Sequence, residues 1–214
     1  MVFHLVTKGP TNQAVLKYIL AKYYANPDID VRQVQPNTDS TDAEAHFGGW
    51  VKIFKYCSSP DMTTILEVDG YVIIQIDTDV CEDYGVKKRE GANDNTTEQI
   101  IQGTKAIIIH KIGTKLYERY KSKIVFAICH ESMECWLLPL YFNDNSRTKT
   151  YNCCNKLNQE LIKEGFTIDI EHKKVPYYHR ICKKIKNRVQ IESVCVFNVG
   201  FQQFIQELAT KIVP

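Results

Sequence analysis

The sequence predicts an α/β fold: a parallel sheet with helices on both faces. Two observations carry that expectation. The runs Tyr71-Val72-Ile73-Ile74-Gln75-Ile76 and Ile124-Val125-Phe126-Ala127-Ile128 are nearly continuous in apolar residues, as strands buried on both faces must be. Segments with helical spacing alternate with these and with an apolar start to the chain, in the order β-α-β-(α)-β-α-β-α, which suits a parallel sheet. The 214 residues are enough for one such domain.

Each element follows from its residues. Val2–Thr7 reads as a buried strand, and Lys8-Gly9-Pro10-Thr11 as a turn, since Gly and Pro punctuate structure. Thr11 or Asn12 then caps a helix to about Ala25, with Leu16, Ile19, Leu20 and Tyr23 inward. Residues 29–34 form a more polar strand, 35–46 a loop, and Phe47–Cys57 a short helix. Val68–Asp77 is the central strand and 80–96 a loop. Asn95 and Glu98 have the spacing of a capping box. They open a helix expected to run to about Lys121. The strand 124–128 leads through His130-Glu131 into a helix bearing Glu134 and Trp136, with Trp136, Leu137 and Leu140 as its anchors on the sheet. Residues 149–165, 177–188 and 199–212 read as helices. The boundaries expected are an α/β core over 1–142 and a mainly helical, basic extension over 143–214, packed on the same domain.

Composition narrows the classes. Hydrophobic content of 44% and charged content of 24% are those of a soluble domain. No apolar run reaches the length of a spanning helix. The amino terminus lacks a signal-peptide pattern, so the cytoplasm is the expected compartment and no membrane partner is expected. The eight cysteines show no Cys-x-x-Cys spacing. Cys129 and Cys135, in apolar surroundings, are expected to be reduced core residues.

In such sheets ligands bind beyond the carboxyl ends of the strands. Three features fall there: the Lys8 turn, Asp77-Thr78-Asp79, and Glu131 with Glu134. Two carboxylates at Asp77 and Asp79 can converge on one cation, and oxygen ligands suit Mg2+ or Mn2+. Such an ion activates water for attack on a phosphodiester. Glu82 and Asp83 follow closely as possible outer ligands. His130 is the only histidine placed near the site, where a hydrogen bond to its own loop is the simpler role.

The stretches Leu5-Val6-Thr7-Lys8-Gly9-Pro10-Thr11, Ile73-Ile74-Gln75-Ile76-Asp77-Thr78-Asp79 and Ala127-Ile128-Cys129-His130-Glu131-Ser132-Met133-Glu134-Cys135-Trp136-Leu137-Leu138 resemble, in order and rough spacing, the Toprim-like domains of RloB-type and OLD-type bacterial anti-phage defence proteins. The resemblance covers about residues 2–142. It implies a Toprim/Rossmann-like core, a Mg2+- or Mn2+-dependent nuclease with the ion on Asp77 and Asp79, and Glu134 as a further acid. It also implies an ABC- or SMC-like ATPase partner. One departure matters. The family pattern has a glutamate where this chain has Lys8, and Asn12 stands where an acid is common. A protonated lysine cannot ligate a cation and repels it. Lys8 could instead pair with Asp77 or Asp79 and replace the ion. The sequence therefore leaves two readings open: a nuclease, silent if Lys8 disables it, or a non-enzymatic partner-binding or regulatory subunit.

Net charge is only +2, but it is unevenly spread. Residues 105–123 hold six Lys/Arg and one acid, and 172–188 hold seven and none. Such blocks suit a polyanion, here DNA, RNA or tRNA. Lys111, Lys115 and Arg119, four apart, form one expected phosphate-binding stripe. Lys183, Lys184 and Lys186 form the other.

Overall fold

A computed structural model describes residues 1–35, 49–90 and 93–212. Four parallel strands form the sheet: β1 (Val2–Val6), β2 (Asp30–Gln35), β3 (Tyr71–Asp77) and, after a small hairpin of β4 (Arg89–Glu90) and β5 (Asn93–Asp94), β6 (Ile124–Cys129). The order is β2-β1-β3-β6. Val6 pairs with Ile74 and Asp77 with Cys129, so the carboxyl ends of β1, β3 and β6 form one edge.

Alternation along the strands assigns two cores. Phe3, Leu5, Ile73, Val125 and Ala127 face one side. They pack with α1 (Pro10–Tyr23) and with α6 (Met133–Leu137), α7 (Cys153–Leu161), α8 (Val175–Cys182), α9 (Arg188–Cys195) and α10 (Val199–Lys211). Val72, Ile74, Ile76, Ile124, Phe126 and Ile128 face the other side. There they meet α2 (Gly49–Cys57), α3 (Pro60–Glu67), α4 (Thr97–Ile112) and α5 (Thr114–Tyr120). Residues 143–212 complete the first core rather than forming a separate one. Trp136 is fully buried and stacks on Phe201 and Phe204 of α10 at 4.8 and 5.5 Å.

Helix α10 also closes the β6 edge. Glu207 accepts a hydrogen bond from the Phe126 amide at 3.0 Å, and Lys211 donates to the Ile124 carbonyl at 2.6 Å. These bonds satisfy edge groups that would otherwise be open to another strand. The approach requires glycine at 200, because a Cβ there would run into the carbonyl oxygen of Ile128.

Several sequence expectations need correction. The helix after residue 96 is capped by Thr96 with Gln99, not by Asn95 with Glu98. It stops at Ile112, because Gly113 takes φ 89°, and α5 starts afresh at Thr114. Helix α3, opened by Ser59-Pro60, was not expected. The expected helix 177–188 is α8, ending at Cys182; Asn187 caps a further helix, α9. The segment 149–165 is helical only over Cys153–Leu161, with a single 3-10 turn after it. Cys135 is not a free thiol: it forms a disulfide with Cys153 and ties α6 to α7. Cys129 is free and buried, as expected. The expected loop 35–46 and the start of the expected helix at Phe47 lie outside the described residues, apart from Gln35, the last residue of β2.

Candidate functional site

Lys8, Asp77, Asp79 and Glu134 meet at the carboxyl edge of the sheet. Lys8 leaves β1, Asp77 ends β3 and Glu134 lies on α6 just past β6, so the parallel register brings them together.

Lys8 lies between the two aspartates. Its Nζ donates to Asp79 Oδ1 and Oδ2 at 3.0 and 2.8 Å and lies 3.3 Å from Asp77 Oδ2. Burial works against the ammonium, but the charges of Asp77 and Asp79 outweigh it and raise its pKa. The stem is held too. A Cβ on Gly49, at the start of α2, would stand 2.6 Å from both Cγ and the carbonyl oxygen of Lys8. Asp77 is almost fully buried. Burial pushes its carboxyl up to about 6, against the pull of Lys8.

Gln75 locks this pair, and sequence reading overlooked it. Its side-chain oxygen accepts from the Lys8 amide at 3.1 Å, while its Nε2 donates to Asp77 Oδ1 at 2.8 Å. The signal was present: a fully buried amide inside an otherwise apolar strand needs partners.

Glu134 is served by a second lysine. Lys173 Nζ donates to Oε1 at 2.7 Å, and the Tyr178 hydroxyl makes a short hydrogen bond to the same oxygen. Burial raises the Glu134 pKa, but Lys173 and these hydrogen bonds bring it below the usual range. Lys173 belongs to the basic run 172–188 expected to suit a polyanion, yet its charge is taken up by Glu134.

A third lysine clasps the loops. Lys88 donates to Glu131 Oε1 and to the Asp79 carbonyl, both at 2.9 Å. Glu131 takes a left-handed backbone, φ 61°. Its amide donates to Thr78 Oγ1 at 2.9 Å, and its carbonyl accepts from the Asp79 amide at 3.1 Å. His130 lies 3.4 Å from Thr78 Oγ1, a loop contact. Glu82 accepts from the Lys88 amide, and Asp83 is exposed.

Four carboxylates are thus matched by three lysines. Among the described residues no three His, Cys, Asp or Glu side chains are grouped to hold a metal ion. A divalent ion on Asp77 and Asp79 would meet the Lys8 ammonium within hydrogen-bond distance of both carboxylates. The residues as arranged do not fit Mg2+ or Mn2+ while Lys8 stays.

The basic residues divide differently from their expected grouping. Lys111, Lys115 and Arg119 are exposed, but α5 leads directly into the amino end of β6. They lie at the end of the sheet away from Asp77, and the break at Gly113 splits the expected single stripe. Lys184 pairs with Glu164 at 2.8 Å, whereas Lys183 and Lys186 are exposed and make no ion pair among the described residues.

No protein-family model, curated protein or solved structure matches this chain. Among the described residues, no helix is long and apolar enough to cross a membrane.

Proposed function

We propose that this chain is a nucleic-acid-binding domain of Toprim-like kind in which Lys8 stands as the resident cation of the acidic edge. Phosphodiester cleavage is silent in the chain as it stands. The observation that carries this is the position of Lys8 Nζ, 2.8 Å from Asp79 and 3.3 Å from Asp77. One ammonium relieves the same carboxylate repulsion that a divalent ion would relieve, so the two compete for one place. Mutual repulsion then weakens any metal bound beside Lys8.

The order of the three motifs supports the Toprim-like part of the reading. The exposed lysines without acid partners support the nucleic-acid part. The same resemblance extends the proposal to a subunit of an antiviral defence system, working beside an ABC- or SMC-like ATPase. Its role there is binding or regulation rather than cutting.

The test compares wild type with Lys8→Glu, in Mn2+, on single-stranded RNA, tRNA and DNA. Wild type should bind and not cut. Lys8→Glu should gain metal-dependent cleavage. Cleavage by wild type at the rate of Lys8→Glu would overturn the reading.

A further inference from the structure

The expected phosphate-binding residues do not share a surface, but the structure offers another. A groove of about 640 Å³ runs along α1 toward the α8–α9 corner. Its volume is within the range of ligand sites. The small side chains Ala14 and Ala21 leave its floor open. Lys17 and Lys22, on α1, line it with Lys186 across the gap. No carboxylate lines it, and none of these three ammoniums forms an ion pair among the described residues. Beside them Tyr18, half-buried, packs its ring against the exposed His179 at 5.8 Å.

We propose that this groove holds a segment of single-stranded nucleic acid. Phosphates lie against Lys17, Lys22 and Lys186, and a base stacks on the Tyr18–His179 pair. The proposal rests on the nucleic-acid reading above and gives it a location. Charge and shape both argue for it. Unpaired lysines on α1 and on the α8–α9 connection can track a phosphate backbone, and an accessible aromatic platform accepts any base. A duplex needs a convex or protruding reader for its grooves, whereas this surface is concave and open along the helix. Helix α1 begins at the Lys8 turn, so the strand would run from the acidic edge down the helix.

Fluorescence anisotropy of a labelled oligouridylate, across a range of salt, tests this. The arms are wild type, the triple variant Lys17→Glu/Lys22→Glu/Lys186→Glu, and the triple variant Lys111→Glu/Lys115→Glu/Arg119→Glu. Circular dichroism checks that each variant is folded; all six side chains are exposed. The groove variant should lose about tenfold or more in affinity. Its salt slope should flatten by about two, at roughly 0.7 per phosphate contact on a single strand. The second triple should bind like wild type. Unlabelled ATP should compete weakly, and an abasic strand of equal length should bind less tightly than the oligouridylate. If the groove variant binds like wild type, or both triples lose equally, the groove is not the strand's path and the nucleic-acid reading stands without it. If wild type binds ATP but no strand, the site is one for a free nucleotide and the proposal fails. If wild type binds neither, the nucleic-acid reading falls as well.

Discussion

Lys8 grips Asp79 with one ammonium on both carboxylate oxygens, at 3.0 and 2.8 Å, across 71 residues of sequence. Gln75 fixes the Lys8 backbone from below, and Gly49 covers its stem. The ion pair is therefore built into the sheet edge rather than laid on its surface.

Removing Lys8 should leave Asp77 and Asp79 facing each other without a counter-charge. Lys8→Ala is expected to destabilise the fold by about 1–3 kcal/mol in urea titration. That is below the ~3–5 kcal/mol for breaking a fully buried pair, because Asp79 is 38% exposed and solvent screens it. Millimolar Mn2+ should recover part of the loss in Lys8→Ala and leave wild type unmoved, since a ligand stabilises only the state that binds it. Equal stabilisation of both proteins would show that the ion binds elsewhere.

Glu134 is a different case, since it is wholly buried and serves both Lys173 and Tyr178. Glu134→Gln leaves Lys173 without its counter-charge and should cost about 3–5 kcal/mol. Tyr178→Phe removes one hydrogen bond to the carboxylate and should cost about 1.5–3 kcal/mol. Denaturant midpoints check both. A cost below 1 kcal/mol for Glu134→Gln, on the same scale, would mean that the Lys173 pair is not formed.

The two buried carboxyls should give stability opposite dependences on pH. Burial holds Asp77 up to about 6, against Lys8, while in an unfolded chain it titrates near 4. Between these values the folded state binds the extra proton. Asp77 therefore makes stability fall as pH rises from about 4 to about 6. Glu134 is buried, yet Lys173 pulls its pKa down. Its contribution is present above the unfolded value near 4.3 and is lost as pH falls through the lower folded value. Unfolding measured from pH 3 to 8 on wild type and Asp77→Asn should show the wild-type excess stability shrinking between pH 4 and 6. A constant difference there would place Asp77 in water.

The parts of this arrangement visible in the sequence are those fixed by apolar runs and by short-range order. The strands β1, β3 and β6 are almost uniformly apolar, so their ends, and with them Lys8, Asp77, Asp79 and Glu134, fell on one edge by topology alone. Lys173 was hidden because one lysine in a basic run looks like its neighbours; only the fold turns it toward Glu134. Gln75 passed as filler in a strand, although its burial demands partners on both sides. The break at Gly113 was obscured because an isolated glycine is tolerated inside helices, and the helical period resumes after it. The bond between Cys135 and Cys153 has no spacing signature, since α6 and α7 are brought together by their packing on the first core.

That disulfide closes a stretch of 18 residues, and by the loop-closure relation it stabilises the fold by about 3 kcal/mol. Dithiothreitol should lower the urea midpoint of wild type accordingly. Cys153→Ser should have the lower midpoint with or without reductant. Identical midpoints for oxidised and reduced wild type would show that the bond does not form in solution.

Glycine 200 lets α10 close against β6. Gly200→Ala should force the helix away from the Ile128 carbonyl and cost about 1–3 kcal/mol as an overpacked contact. Hydrogen exchange of the Phe126 amide, which bonds Glu207, should speed up in the same variant. Unchanged exchange would show that α10 absorbs the methyl without leaving the edge.

The account turns on Lys8 as the cation of the acidic edge, and Mn2+ binding measured by isothermal titration calorimetry on wild type and Lys8→Glu tests that most directly. Wild type should show no heat of binding at the edge, and Lys8→Glu should bind the ion with Asp77 and Asp79, an affinity lost again on adding Asp77→Asn. Equal Mn2+ affinity in wild type and Lys8→Glu, lost in wild type on Asp77→Asn, would contradict the account, because the ion would then share the site with the ammonium said to replace it.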